Sequence, residues 1–321
     1  MAQSSLVAMT SPILLAVPNV SEGRDEPTIA AIGGALVGGV RLLDVHSDRD
    51  HHRSVFTIAG RPGELAEAVL ALVREAVERI DVMGRAGGGS SETGQHPHVG
   101  VVDVAPIVYL DERARGAACA EALVLADRIG EELQVPVFLY GELTGTEPSA
   151  MRSRAQLRRG GPAGLAARIA GLEQGASSGG AGDRLRPDFG PPRMHPTAGA
   201  TLVAARPPLV AFNLQLAPSA SVADARRIAA MIREGGSEGV PGLRAIAVAL
   251  DGGVAQVSMN VERPFEVPLA MVVEAVGRHA EIASAELVGL APRVAFDGFP
   301  QELPIPGFDP ARHLIENALG C

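Results

Sequence analysis

The sequence predicts an α/β (α+β) chain built as two ferredoxin-like sandwich subdomains with a cleft between them, and three observations carry that expectation. At 321 residues the chain is long enough for two domains of about 150 residues each. Each half runs strand, helix, strand, strand, helix, strand, which is the order of a split βαβ unit. Between the halves lies Gly175 to Gly182, made only of glycine, serine and alanine, followed by the proline-rich run Arg186 to Arg193. The boundary is therefore drawn there, giving 1–186 and 187–321.

In the first half, Ile13 to Val17 is a short apolar run closed by Pro18-Asn19, which reads as a buried strand and a turn. Pro27 to Val37 has small apolar residues at helical spacing behind Asp25, a good N-cap. Val40 to Val45 and Ser54 to Ala59 read as strands on either side of the polar run His46 to Arg53. Glu64 to Ile80 is the clearest helix, with Leu65, Val69, Leu72, Val77 and Ile80 on one face. The glycine- and serine-rich loop Gly84 to Gly94 follows, then strand Val99 to Val104, helix Arg113 to Leu133 and strand Val135 to Tyr140. In the second half, Leu209 to Leu216 is a strand and Ala223 to Glu234 a helix. Strands Arg244 to Leu250 and Val254 to Val261 are joined by Asp251-Gly252-Gly253, a hairpin signal. Helix Leu269 to Ile282 and strand Glu286 to Leu290 complete the unit. Helices are expected on one face of each sheet.

Composition excludes several classes. A net charge of -9 without a basic stripe argues against nucleic acid as a partner. Two cysteines make neither a disulfide framework nor a four-cysteine zinc site. All 28 basic residues are arginine, so Schiff-base and P-loop lysines are absent. No stretch reads as a targeting segment or a membrane span, and a cytoplasmic protein is expected.

Histidines cluster in polar loops: His46, His51 and His52; His96 and His98; His195. Histidine is the usual general base near neutral pH and the commonest metal ligand. His46-Ser47-Asp48-Arg49-Asp50-His51-His52 has ligand-like spacing, although Arg49 and Arg53 oppose a dication; a solvated loop explains the same letters. No metal is expected. Pro97 pushes His96 toward an extended conformation at the start of a strand, a rigid place to hold a catalytic group. Asn19, Ser21 and Glu22 in the first turn, and Asp44 on a strand, stand where they could line a pocket or cap a turn.

A series of short motifs in order resembles the glutamate formiminotransferase family. They include Val17-Pro18-Asn19-Val20-Ser21-Glu22-Gly23, Leu42-Leu43-Asp44-Val45 with Arg53-Ser54-Val55, His96-Pro97-His98-Val99-Gly100 with Asp103-Val104, and Val135-Pro136-Val137 through Tyr140-Gly141-Glu142. Pro187-Asp188-Phe189-Gly190-Pro191, Ala211-Phe212-Asn213, Ala255-Gln256-Val257-Ser258 and Leu287-Val288-Gly289-Leu290 continue the series over about residues 13 to 315. There is no room for the cyclodeaminase domain fused to the animal members. The resemblance implies two α/β subdomains, with folate in the cleft. It implies transfer of a formimino group from N-formiminoglutamate to tetrahydrofolate, the co-substrate, in histidine degradation and one-carbon metabolism. It puts the catalytic histidine at His96, with Asp44 and His46 beside it; His46 stands where animal members carry an aspartate. It puts the folate-contacting stretch at Gly190, Pro191, Arg193, His195, Thr197 and Gly199, and it suggests a homodimer.

The residue types suit that chemistry. One histidine can take a proton from the attacking amine and return it to the departing nitrogen. A protonated formimino carbon is already an electrophile, so no metal is required, and a nearby carboxylate would stabilise it. Arg53 and Arg193 are candidates to hold substrate carboxylates, with Asn19, Ser21 and Glu22 around them. Two other readings stay open: a metal-dependent hydrolase of formiminoglutamate or a related amidine using His46, Asp48 and His51, and a family member with another formimino donor or without transfer.

Overall fold

A computed structural model describes residues 11–85, 97–147, 150–172 and 185–320. The first sheet has seven strands. β1 (Leu14–Ala16) and β2 (Asn19–Val20) are two pieces of one strand broken at Val17-Pro18. Both pieces lie between β4 (Arg53–Gly60) and β5 (Val102–Tyr109), antiparallel to each. β3 (Arg41–Asp48) forms the edge beyond β4, with His46 opposite Val55 and Asp48 opposite Arg53. On the other side β5 pairs in parallel with β7 (Thr201–Arg206), and β7 with β6 (Val137–Leu139). The second sheet has four antiparallel strands in the order β11 (Ile282–Val288), β8 (Val210–Leu216), β10 (Ala255–Val261), β9 (Leu243–Ala249). That is the ferredoxin-like order, and the first unit shows it too in the run β3–β4–β1/β2–β5.

Alternation along the strands builds the layers. In β8, Val210, Phe212, Leu214 and Leu216 enter a core with α7 (Val222–Ile232) and α8 (Leu269–Gly277). The residues between them, Ala211 and Asn213, face the first sheet across a cleft. In β4, Phe56 and Ile58 pack under α1 (Glu26–Gly34), α2 (Leu65–Arg79) and α4 (Arg115–Leu133), while Arg53, Val55 and Thr57 face the cleft. The Asp25 side chain accepts from the Thr28 N–H, capping α1 as its position predicts. Gly252 and Gly253 both have positive φ, the backbone that the β9–β10 hairpin requires.

β7, which the sequence did not reveal as a strand, sits between β5 and β6, and the first sheet ends at Arg206. Two expectations are corrected. The first unit does not carry helices on one face alone. Its β6–β7 edge also packs Phe138, Leu202 and Ala204 against Leu157 of α5 (Arg154–Arg158) and Leu165 of α6 (Gly161–Ala170). Helix α8 stops at Gly277 and β11 begins at Ile282, so the last predicted helix was too long and the last strand started too late. Among the described residues, no helix is long and apolar enough to cross a membrane.

Candidate active site

The cleft between the two sheets is floored by the open face of the first and roofed by β8, β10 and the end of β11. Its cavity volume is about 120 Å³.

At one end stands Asp103 on β5, fully buried. Its Oδ2 accepts from Arg53 NH1 at 2.9 Å, and Arg158 of α5 reaches both carboxylate oxygens. Arg53 Nε and NH2 also donate to Asn19 Oδ1 at 2.9 and 2.7 Å, and Asn19 Nδ2 donates to the Val17 carbonyl. The break between β1 and β2 thus orients Asn19, which orients the guanidinium. Burial lowers Arg53 to about 10, with Asp103 opposing the shift. Two more arginines line this end. Arg154 lies four residues before Arg158 on α5, and Arg206 closes β7. Burial brings Arg206 down to about 10 as well.

At the other end His46 Nε2 lies 3.1 Å from Glu286 Oε1 of β11. Asn213 Nδ2 donates to the other Glu286 oxygen at 2.8 Å. Burial opposes charge on the His46 ring, but the bond to Glu286 and the charges of Glu286, Asp44 and Asp48 outweigh it and raise the ring's pKa. Asp44, His46 and Asp48 share the cleft face of β3, whereas Val45 and Ser47 face α1. Asp48 bonds His51 Nδ1 at 2.6 Å. Among the described residues, no group of three or more His, Cys, Asp and Glu is placed to hold a metal ion.

The remaining candidates are used locally. Ser21 Oγ donates to the Gly100 carbonyl. Glu22 Oε1 accepts from the N–H groups of Gly23, Arg24 and Asp25 and lies 3.2 Å from His52 Nδ1. Neither lines the cleft. His96, most of the Gly84 to Gly94 loop and the Gly175 to Gly182 segment lie outside the described residues; Gly84 and Arg85 belong to a short helix, α3 (Val82–Arg85).

The Gly190 to Gly199 stretch does not line the cleft but lies against the start of β5. Gly100 and Gly199 form a bridge, Val101 N–H donates to Ala198 O, and Ala200 N–H donates to Val99 O. A Cβ on Gly100 would lie 2.1 Å from Ala200 O, so no larger residue fits. His195 Nδ1 accepts from the Ala198 N–H at 3.0 Å, and Arg193 is exposed. His98, two residues beyond His96, keeps a lowered pKa through burial, and its Nδ1 has no hydrogen-bond partner among the described residues. Arg154, Arg158, Arg206 and Glu286 were not apparent as site residues from sequence; the signal was the arginine density of 152–159 and Glu286 preceding Leu287-Val288-Gly289.

Comparison with known proteins identifies the family. Residues 13–206 match the model of the formiminotransferase domain, N-terminal subdomain, ending at the last residue of β7. The chain belongs to the formiminotransferase family and is a transferase. It is 34% identical over 316 residues to glutamate formimidoyltransferase of Streptococcus pyogenes serotype M1, covering 96% of this chain and 98% of that one. Glutamate formimidoyltransferase of Thermoplasma acidophilum is 32% identical, with 91% and 93% covered. Formimidoyltransferase-cyclodeaminase of Sus scrofa is 36% identical over 88% of this chain, which spans 50% of the pig protein.

Proposed function

We propose that the chain transfers the formimino group of N-formiminoglutamate to tetrahydrofolate, giving glutamate and 5-formiminotetrahydrofolate, with His96 as general acid and base. The observation that carries this is the cleft, where fixed arginines at one end suit carboxylates and the His46–Glu286 pair supplies a carboxylate at the other. Family membership sets the reaction class. The folate amine attacks the protonated formimino carbon, and the new N–C bond forms as His96 takes the amine proton. The bond from that carbon to the glutamate nitrogen then breaks, and His96 returns the proton to the leaving nitrogen. The Glu286 carboxylate, held ionised by His46 and Asn213, offsets the positive charge of the formimino group. Arg53, presented by Asn19, holds a substrate carboxylate. Asp44 and His46 flank the reacting group, and the Gly190 to Gly199 stretch takes the folate beside the His96 motif. The reading also places the chain in the cytoplasm, in histidine degradation, as a homodimer.

The test is a paired turnover assay with N-formiminoglutamate, with and without tetrahydrofolate, with a chelator arm and a His96→Ala variant. Folate-dependent glutamate release, resistant to chelator and lost in the variant, is the expected result. Folate-independent ammonia release that chelator abolishes would overturn it in favour of a metal-dependent hydrolase at His46, Asp48 and His51.

A further inference from the structure

The two units are joined differently at the two ends of β3 and β4. At one end the junction is apolar and covalent. Leu15, Ala59 and Val108 of the first sheet pack with Leu290 and Ile315 of the second unit. Arg41, opposite Ala59, donates to the Ala318 and Leu319 carbonyls of the helix Ile315–Leu319. Arg206, in register with Val108, leads into β8 through Pro207, Pro208 and Leu209. The Arg154–Glu262 pair belongs to this side too, since Glu262 follows Val261, which lies opposite Val210 at the start of β8. Farther along, the ties are polar. His46 of β3 bonds Glu286 of β11, and both side chains are about a quarter exposed. In the β3–β4 turn, Asp50 Oδ2 accepts the Asp251 N–H of the β9–β10 hairpin at 3.4 Å. From Ala59 to Arg53, beside that turn, β4 runs roughly 20 Å.

The cleft between these two junctions holds about 120 Å³, well below the roughly 300–1,000 Å³ of pockets that take substrate-sized ligands. Gln256 is a second, independent observation. It shares a face of β10 with Ser258 and Asn260, which line the cleft. It is fully buried, and among the described residues neither its amide oxygen nor its nitrogen has a hydrogen-bond partner. An amide sealed from water without a partner is costly, and this one stands at the polar end, next to the hairpin that meets Asp50.

We infer that this is the closed arrangement of a clamp: the units swing apart about the apolar end, and the His46–Glu286 and Asp50–Asp251 contacts form a catch that breaks to admit substrates and re-forms over them. The inference rests on the proposed transfer, whose two substrates meet in the cleft. Partly exposed polar ties give way to water at little cost, whereas the apolar junction keeps its contacts, as in hinged closure around a ligand. Opening also lets water reach the Gln256 amide.

The test joins the two sides of the catch. Asp50→Cys and Asp251→Cys are introduced together, with Cys119 and Cys321 replaced by serine so that no other thiol pairs. Both positions lie in turns, and neither takes part in the proposed reaction. With the new pair oxidised, kcat/KM should fall by about tenfold or more, as expected when the open form is depleted, and reductant should restore it. The same cysteines carrying spin labels should show two distances in the absence of substrate, with the shorter one gaining population when substrates bind. This arm decides the question where geometry prevents the disulfide. Undiminished turnover in the fully oxidised chain, or a single short distance with and without substrates, would overturn the clamp even in an active transferase. Two distances in a protein without turnover would keep the clamp and remove the transferase reading instead.

Discussion

His46 Nε2 and Glu286 Oε1 lie 3.1 Å apart, joining the edge strand of the first sheet to the edge strand of the second across the cleft. The pair is half-buried, and Asn213 holds the carboxylate from behind. These two side chains thus tie the two units to each other.

A pH dependence follows. Burial opposes the charge on both groups, but their mutual bond prevails: His46 is raised above 6.5 and Glu286 lowered below 4.5. The His46 contribution is complete below 6.5 and is lost as pH rises through its folded value. The Glu286 contribution is complete above 4.5 and is lost as pH falls through its folded value. The stability advantage of the wild type over Glu286→Gln should therefore be largest between these pH values and shrink above them, as urea unfolding at several pH values would show. Proton NMR should find the His46 ring titrating lower in the variant. An unchanged His46 titration would refute the pairing.

Asp103→Asn should be among the most disruptive single changes. The wild-type carboxylate is fully buried between Arg53 and Arg158 and accepts the Val99 N–H. Its neutralisation leaves two guanidinium groups facing each other, which typically costs about 3–5 kcal/mol. Denaturant unfolding measures this directly, and a loss below about 1 kcal/mol would show that the arginines find other partners.

Two glycines predict opposite outcomes. Gly100→Ala would drive a Cβ into the backbone of residues 198 and 200, and a loss of about 2 kcal/mol or more is expected because neither carbonyl can give way. Gly116, in the first turn of α4, has open space around it. Gly116→Ala should leave stability unchanged or raise it by up to about 1 kcal/mol. Thermal melts of the two variants check both.

His96→Ala should lower kcat by about 10²–10⁴, the usual worth of a general acid–base group. Folate binding, followed by fluorescence, should persist. Loss of folate binding with it would make His96 a binding residue instead.

The second unit was readable almost in full because its six elements are local, alternating and closed by a glycine hairpin. The first was readable up to Tyr140, and then failed for a physical reason. β7, Thr201–Arg206, is a short run of small apolar residues whose partners lie far away in sequence, so nothing local marks it as the strand between β5 and β6. Arg53 and His46 stood out beside recognisable strands. Arg154 and Arg158 did not, because 152–159 reads as an ordinary charged surface helix until the sheet beneath it is known. Glu286 was visible only as a strand residue; its role depends on a contact with a residue 240 positions away.

The placement of β7 has a consequence for how the molecule is made. β6 reaches the rest of the sheet through β7, and β7 leaves the ribosome more than sixty residues after β6. During synthesis β6 must wait without its neighbour, and the pocket floor closes only when Arg206 has emerged. Only Pro207, Pro208 and Leu209 then separate β7 from β8, so the strand that completes the first sheet also sets where the second one starts. A fragment cut at the glycine-rich segment would carry an orphaned strand and expose its edge, whereas one cut after Arg206 would keep a finished sheet.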